Sequence, residues 1–258
     1  MMKKITTIFF AGVLLIGGIG NTMAEDTGPF AAENFSATLT MTTSYMYRGT
    51  SFSDDQPALQ GSFDWGYGNW FAGVWASSLA DQDSSGYELE HDFYGGYANS
   101  FAGIDWFVMP IYYNFSDFAK RNTSGDDANV FEVWLDASKA INDTFTLHAM
   151  YAYSPDFFFE SGDANYIKGD ITANLPAGFS LNAGFGYQDV EGAGATVPLG
   201  YSYTHWEIGL SKSVVGFDLD LRYHDTSDDE LTDDAVANFY VDNHNTDDTI
   251  VFTVSRSF

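Results

Sequence analysis

The chain has 258 residues, no cysteine, and 36 acidic against 10 basic residues, which gives a formal net charge of −26. Because phosphate binding needs clustered lysine and arginine, this charge excludes nucleic acid as a partner. The absence of cysteine excludes a disulfide framework. Aromatic residues make up 17% of the chain, which excludes a disordered protein, since disordered chains are poor in them.

The N-terminal segment 1–24 predicts a secretory signal peptide. Lys3 and Lys4 form its positive end, residues 5–19 are an apolar run, and Thr22-Met23-Ala24 offers small residues around a cleavage point. The apolar run is shorter than the roughly 20 residues of a membrane-spanning helix. We therefore expect a mature chain of residues 25–258 that is exported and forms one domain.

Apolar and polar side chains alternate from Phe35 to the C-terminus with the period of two that is typical of β-strands. The first predicted strand runs from Phe35 to Tyr47, and its alternation places Tyr45 and Tyr47 on the apolar face. Strand 104–115 has aromatic residues on both faces, so its register stays open, and Pro110 inside it predicts a bulge or kink. The final strand, 249–258, brings the total to twelve.

The lengths of the predicted connections follow a rule. Short turns follow the even-numbered strands, and longer polar connections follow the odd ones, over residues 49–57, 79–86, 116–128, 155–164, 189–201 and 226–248. An even strand count with short turns at one end and long loops at the other is typical of outer-membrane barrels. We therefore predict an all-β fold, a transmembrane up-and-down antiparallel β-barrel of twelve strands in the outer membrane of a Gram-negative bacterium.

Several motifs of the chain resemble the TorF family of porins. They are Tyr47-Arg48-Gly49, Ser51, Ser53-Asp54, Pro57-Ala58-Leu59-Gln60-Gly61, Asp92-Phe93-Tyr94-Gly95-Gly96-Tyr97, Ile111-Tyr112-Tyr113-Asn114 and Val254-Ser255-Arg256-Ser257-Phe258. The resemblance implies an outer-membrane barrel that conducts small solutes. The final strand also resembles the closing strand and assembly signal of such barrels, so Phe258 is a candidate contact for the barrel-assembly machinery.

One face of the predicted strands would line a lumen, and it carries more acids than bases. The candidate lumen residues are Arg48, Asp64, Glu88, Glu90, Asp92, Glu132, Asp136, Lys168, Asp170, Glu207, Asp218, Asp220 and Arg222. Rings of carboxylates favour cations in other pores. We therefore predict a monomeric, weakly cation-selective channel for the passive diffusion of small hydrophilic solutes or cations.

Two other functions stay open. The bases could pair with neighbouring carboxylates and fill the bore, which would give a non-conducting structural or surface-interaction barrel. The second alternative is a barrel hydrolase, because His91 falls on the lipid-facing register near Ser77 and Ser78. No oriented base or oxyanion site accompanies it, so we predict no enzyme, and a bulge that turns His91 inward is the preferred interpretation.

The predicted loops are acidic as well. This indicates either a hydrated surface or divalent cations that bridge to lipopolysaccharide, next to the outer-membrane lipid that would surround the barrel. The last loop, 226–248, could extend its strands as a hairpin or fold into the mouth. The five histidines lack the spacing of a zinc motif, so no metal or cofactor is predicted.

Overall fold

The computed structural model describes residues 28–79, 89–115, 127–193, 200–227 and 243–258. The signal peptide, Glu88 and most of the last loop lie outside these residues. The described residues form fourteen strands: β1 (Phe35–Thr42), β2 (Met46–Tyr47), β3 (Thr50–Ser51), β4 (Ala58–Tyr67), β5 (Trp70–Ser78), β6 (Leu89–Phe101), β7 (Ile104–Phe115), β8 (Val130–Ala140), β9 (Phe145–Ser154), β10 (Ala164–Asn174), β11 (Phe179–Val190), β12 (Tyr201–Val214), β13 (Phe217–Thr226) and β14 (Thr249–Ser257).

Twelve of these strands form a closed antiparallel barrel, and β2 and β3 form a separate two-stranded sheet. Each barrel strand pairs with its sequence neighbours, and β1 pairs with β14 to close the barrel. The predicted fold class and strand number are confirmed. In the part of the chain that the structure describes, no helix has the length and apolar character to cross a membrane.

The connections sort by length as predicted. Short connections join the strands at one end, which we call the short-connection end, and include Ala102-Gly103 and Val215-Gly216. Both residues of each of these turns have positive φ, as a two-residue type I′ hairpin turn requires. The opposite, long-connection end carries the 43–57 and 155–163 segments, which position the candidate site.

The alternation separates two faces throughout the barrel. Large apolar side chains stand outward and exposed, among them Met41, Phe63 and Ile250. Polar and charged side chains at the intervening positions are buried inside. The open register of β7 is now fixed, because Met109, Ile111 and Tyr113 are buried and therefore face inward.

Three sequence predictions are wrong in detail. β1 ends at Thr42, so Tyr45 and Tyr47 do not lie on an outward strand face. The register of β6 with β7 is the same before and after Pro110, so the bulge alternative is wrong, although the pairs of Gly95 and Gly96 opposite this point are missing from the ladder. His91 stays in the outward register between inward Glu90 and Asp92, because no bulge in β6 turns it inward.

Candidate functional site

A hairpin from the first long connection enters the barrel. Its strands β2 and β3 pair Tyr47 with Thr50, and Arg48-Gly49 forms the turn between them. Arg48 has φ 52° and Gly49 has φ 86°, the pattern of the two-residue turns at the other end. The base of the hairpin is joined by the Phe52 N–H, which donates to the Tyr45 carbonyl at 2.7 Å. We call residues 44–53 the inner hairpin.

Arg48 anchors the tip of the inner hairpin. Its guanidinium donates to both carboxylate oxygens of Glu132 on β8 at 3.0 and 2.7 Å, and to Gln188 Oε1 on β11 at 2.8 Å. The same guanidinium lies 4.3 Å from the ring centroid of Tyr166 on β10. Such bidentate, charge-assisted hydrogen bonds are among the strongest in proteins, so the tip is held at a defined place in the lumen.

The anchoring pair is removed from water. The exposed fraction is 8% for Arg48 and 1% for Glu132. Burial alone lowers the pKa of the Arg48 guanidinium, but the Glu132 carboxylate together with Tyr47 and Tyr113 more than offsets this, and the pKa lies above its ordinary value. Arg48 therefore remains a buried cation whose charge is neutralised by Glu132.

Gly49 brings the tip against the far wall. The Thr226 hydroxyl donates to the Gly49 carbonyl at 2.8 Å. A Cβ at Gly49 would lie 2.4 Å from Thr226 Oγ1 and 2.5 Å from His205 Cβ. Only glycine fits this approach, so the sequence of the turn is matched to the wall that it contacts.

Aromatic side chains pack around the inner hairpin. Tyr47 lies 4.9 Å from Phe52 and 6.2 Å from Phe158, measured between ring centroids. Phe158 belongs to the 155–163 connection, in which Phe157 and Phe159 are also buried. Two connections therefore fold inward and narrow the lumen at the long-connection end.

Below the hairpin tip, charged side chains pair across strands β8–β13, a surface that we call the paired wall. Lys168 Nζ and Arg222 Nη1 each lie 2.8 Å from Glu207 Oε1. The paired wall consists of Glu132, Asp136, His148, Lys168, Asp170, Glu207, Asp220 and Arg222. Its bases alternate with its acids, so most of its charge is compensated.

His148 joins two carboxylates within this wall. Its Nε2 lies 2.6 Å from Asp136 Oδ2, and its Nδ1 lies 2.8 Å from Asp170 Oδ2. The two nitrogens point to opposite sides of the ring, so the three side chains do not converge. Among the described residues, no group of three or more histidine or acidic side chains is placed to hold a metal ion.

Glycines on intervening strands make these contacts possible. Lys168 on β10 reaches Glu207 on β12 across β11, where a Cβ at Gly184 would lie 3.0 Å from Lys168 Cε. Tyr94 on β6 donates to Asp64 on β4 across β5, where a Cβ at Gly73 would lie 2.5 Å from the Tyr94 hydroxyl. Inward glycine therefore provides the room in which side chains of next-nearest strands meet.

The other side of the lumen lacks bases. Asp64, Glu90 and Asp92 on β4 and β6 form what we call the carboxylate wall, and no basic side chain among the described residues pairs with them. Asp64 accepts hydrogen bonds from Ser62 and Tyr94. Glu90 accepts one from the Tyr45 hydroxyl at 3.3 Å. These acids are solvated by neutral donors instead of cations.

A cavity of about 100 Å³ lies between the inner hairpin and the two walls. Arg48, Trp75, Asp92, Tyr94, Lys168 and Glu207 are among its lining residues. A water molecule needs roughly 10–15 Å³ of such volume. The cavity therefore has room for a few waters or one small solute.

The structure places the predicted lumen residues that it describes on the inward face or, for Arg48, at the hairpin tip. It brings most of them together in the two walls. Asp218 stands apart at the short-connection end, where it accepts a hydrogen bond from Ser213. Glu88 lies outside the described residues.

Sequence reasoning missed several members of the site. Gln188 and His148 are buried in the site, but in the sequence neither an amide nor a histidine stands out by charge from the many carboxylates. Tyr45 and Tyr47 were assigned to the wrong face. The run Phe157-Phe158-Phe159 was a usable signal, because three consecutive aromatic residues in a long polar connection indicate that it is buried.

Several solved structures of porins are similar to this chain. The KdgM porin, solved in complex with disordered oligogalacturonate, matches with a TM-score of 0.50 and 8% identity over 87% of this chain and 97% of that chain. The NanC porin matches with a TM-score of 0.48 and 8% identity over 87% and 98%. OmpF of Salmonella typhi in complex with daunomycin matches with a TM-score of 0.47 and 9% identity over 87% and 96%. No curated protein sequence matches the chain.

The family of the chain is shown by a match to a protein-family model. Residues 24–258 match the model of the Gcw_chp family, described as a bacterial protein of unknown function. The resemblance to the TorF family is a narrower statement and stays a prediction. The chain belongs to the Gcw_chp family, and its barrel has the fold of outer-membrane porins.

Proposed function

We propose that the protein is an outer-membrane porin-like channel for the passive diffusion of small hydrophilic solutes. The observation that carries this proposal is the division of one closed barrel into an apolar outward face and a charged inward face. A barrel that spans lipid needs the first, and a path for hydrated solutes needs the second. The likeness to the KdgM porin supports the fold on which the proposal depends.

The orientation follows from the connections. Short turns of outer-membrane barrels are periplasmic, and long loops are extracellular. The inner hairpin and the 155–163 connection therefore enter from the extracellular side. Segment 1–24 would direct export and be removed, and the barrel would work as a monomer.

The inner hairpin makes this a gated channel. Its tip is fixed by Arg48 and Glu132, and buried aromatic side chains pack around it and narrow the lumen. In this proposal, solute passage requires the hairpin to move. The ion pair is the strongest of the described contacts that hold the hairpin inward, so it acts as the latch.

A preference for cations follows from the inward charges. The described lumen candidates contain nine acids, namely Asp64, Glu90, Asp92, Glu132, Asp136, Asp170, Glu207, Asp218 and Asp220, against the three bases Arg48, Lys168 and Arg222. A surplus of carboxylates in a narrow pore raises the local concentration of cations. We therefore propose weak cation selectivity.

One observation favours a second function, a non-conducting structural barrel. The buried aromatic cluster around Tyr47 and Phe158 resembles the core of a soluble domain more than a mobile gate. A hydrolase is not supported. Ser77 is buried inside while His91 faces outward, and the Ser78 hydroxyl accepts the Leu59 N–H at 3.0 Å.

Single-channel recording of refolded mature protein in a planar bilayer tests the proposal. A salt gradient across the bilayer measures the ion selectivity. The double variant Arg48→Met with Glu132→Gln tests whether the inner hairpin acts as a gate. This variant removes both buried charges, so neither is left unpaired. We expect discrete cation-selective steps from the unmodified protein, and a higher open fraction from the variant.

Band shift on heating in detergent gels supplies the folding control. Silence from both proteins, each with the mobility of a folded barrel, would overturn the channel and support the structural barrel. Equal open fractions in the two proteins would overturn the latch. Anion preference would overturn the assignment of selectivity.

A further inference from the structure

Basic and acidic side chains on the outward face are sorted between the two ends of the barrel. Among the described strand positions, the outward bases are Lys139, Lys212 and Arg256, and each lies within two residues of the end of its strand at the short-connection end. The outward acids of the strands, Asp189 and Asp225, lie at the long-connection end. The outward surface is therefore basic at one end and acidic at the other.

Two of the outward bases flank a single strand, β13. Lys212 on β12 pairs with Leu219, and Arg256 on β14 lies beside Phe217, two positions nearer the end of the barrel. With about 4.8 Å between strands and about 3.4 Å per residue, the two Cα atoms are about 12 Å apart. Both side chains are long, so their charged ends can reach one headgroup above β13. We call Lys212 and Arg256 the basic pair.

Aromatic rings support both members of the basic pair. Lys212 Nζ lies 4.4 Å from the ring centroid of Phe179, and Arg256 Cζ lies 5.0 and 5.2 Å from those of Phe217 and Phe258. Such contacts hold a cation without using its N–H groups. No carboxylate among the described residues forms an ion pair with either base. Their N–H donors therefore remain available to an anion from outside the chain.

Apolar surface continues from the basic pair toward the middle of the barrel. Leu210, Leu221 and Phe252 lie in one row across β12, β13 and β14, and all three side chains are exposed. A ligand that meets this surface next to the basic pair has an anionic group and an apolar part. This is the chemistry of a lipid and not of a free ion.

The basic pair lies at the level of a membrane interface. At the same end of the barrel, Tyr97 packs against Trp70 and Trp106, with ring centroids 5.0 and 6.0 Å apart, and Trp70 is exposed on the outward face. Tryptophan and tyrosine concentrate at the headgroup level of membranes. Lipid phosphates lie at that level too, so the basic pair is placed to meet them.

We propose that Lys212 and Arg256 bind the headgroup of one anionic phospholipid in the leaflet that surrounds the short-connection end. The guanidinium suits paired phosphate oxygens, and the ammonium adds a point charge. The acyl chains would lie along Leu221 and Phe252. A zwitterionic lipid carries its own cation beside the phosphate, so it gains less from two bases.

This inference rests on the proposed location of the barrel in an outer membrane, since it needs a lipid leaflet at this end. It does not rest on conduction, so the two can fail separately. A conducting barrel without a preference for anionic lipid would overturn only the inference. A silent barrel with that preference would uphold it and overturn the channel.

Native mass spectrometry of the folded mature protein in neutral detergent tests the proposal, with dioleoylphosphatidylglycerol as the probe. Dioleoylphosphatidylcholine has the same acyl chains and is the zwitterionic control, and ammonium phosphate is the free-anion competitor. We expect phosphatidylglycerol to bind more tightly than phosphatidylcholine and to stay bound when phosphate is added at equal concentration. Equal affinity for the two lipids would overturn the proposal, and displacement by phosphate would show a site for a free anion instead.

Variants locate the lipid. Lys212→Gln and Arg256→Gln should each lower the affinity for phosphatidylglycerol about fivefold, as expected for one basic residue at an anionic lipid surface. Lys139→Gln is the matched control, because Lys139 is an outward base at the same end but lies on β8, four strands from β12. Unchanged affinity in the first two variants would overturn the site. An equal loss in Lys139→Gln would do so too, because the preference would then come from overall charge. Band shift on heating shows that each variant is folded.

Discussion

The two walls of the lumen stabilise their buried carboxylates in different ways. The paired wall buries its carboxylates next to lysine, arginine and histidine. The carboxylate wall buries its acids with tyrosine and serine hydroxyls instead of cations. The difference indicates that ion pairs hold the first wall together, while neutral hydrogen-bond donors hold the second.

The inner hairpin connects the two walls. Arg48 reaches the paired wall through an ion pair, and Tyr45 reaches the carboxylate wall through one hydrogen bond. Charged hydrogen bonds are worth more than neutral ones. We therefore expect that changes on the paired side affect the hairpin most.

The largest effect is expected from Arg48→Ala. The change leaves Glu132 buried without its cation, and breaking a buried pair in this way costs about 3–5 kcal/mol in the free energy of unfolding. Urea unfolding in detergent, followed by tryptophan fluorescence, measures it. Arg256→Ala is the control, because Arg256 lies over the rings of Phe217 and Phe258, an exposed contact worth about 0.5–1 kcal/mol. Similar losses of unfolding free energy in both variants would contradict the proposal that the Arg48–Glu132 pair holds the inner hairpin in place.

The next prediction separates the stability cost of a clash at the hairpin tip from the cost of placing alanine at positive φ. Gly49→Ala and Gly68→Ala both place alanine at positive φ, but only Gly49 faces side chains within 4 Å. Overpacking costs about 1–3 kcal/mol, so we expect Gly49→Ala to lose that much more stability than Gly68→Ala. Its open fraction in planar bilayers should also rise, because the tip no longer fits against Thr226 and His205. Equal stability of the two variants would show that the tip is not closely packed.

A smaller effect tests the carboxylate wall. Tyr94→Phe removes the hydroxyl that donates to Asp64 and should cost about 1–3 kcal/mol, because the acceptor is buried. Tyr112→Phe is the control, since Tyr112 is exposed on the outward face. Denaturant unfolding compares the two. A neutral result for Tyr94→Phe would show that water replaces the lost donor and that this wall is open to solvent.

The smallest effect concerns selectivity. Asp218→Asn removes an inward charge that no base among the described residues neutralises. At about 10 Å in water one charge is worth about 0.4 kcal/mol to a cation and the opposite to an anion, a change of about fourfold in the ratio of cation to anion permeability. Reversal potentials in a salt gradient measure this ratio. Asp143 is exposed in a short connection, so Asp143→Asn should leave it unchanged, and an equal shift in both variants would place the selectivity outside the lumen.

The sequence was sufficient for the fold because the barrel repeats one simple pattern. Neighbouring residues lie on opposite faces of a strand, as Phe63 and Asp64 do in β4 and Trp206 and Glu207 do in β12. The alternation of short and long connections then distinguishes the two ends of the barrel. The same alternation gave a wrong prediction for Tyr45 and Tyr47, which it placed on the apolar face of the first strand. A hairpin also alternates, so the pattern continued past Thr42 although the barrel strand ended there. The Arg48-Gly49 pair between Tyr47 and Thr50 was the signal for a two-residue turn.

The site itself was less predictable. Which acid meets which base depends on contacts between strands that are not neighbours, such as Lys168 with Glu207, and on the space left by Gly184. Neither can be read from alternation along one strand. That Arg48 approaches Glu132 also depends on a connection folding inward, which polarity alone did not indicate.

The seam between β1 and β14 has a consequence for the order of folding. It joins the two ends of the chain, and the hydroxyls of Thr38 and Ser257 meet at 3.1 Å across 219 positions of sequence. Pairings between such distant segments carry a high entropic cost and form late. Until β14 is in place, β1 and β13 both present unpaired edges, which are templates for aggregation. Pairing of β14 with both neighbours therefore removes the two edges at once and protects the folding barrel from aggregation.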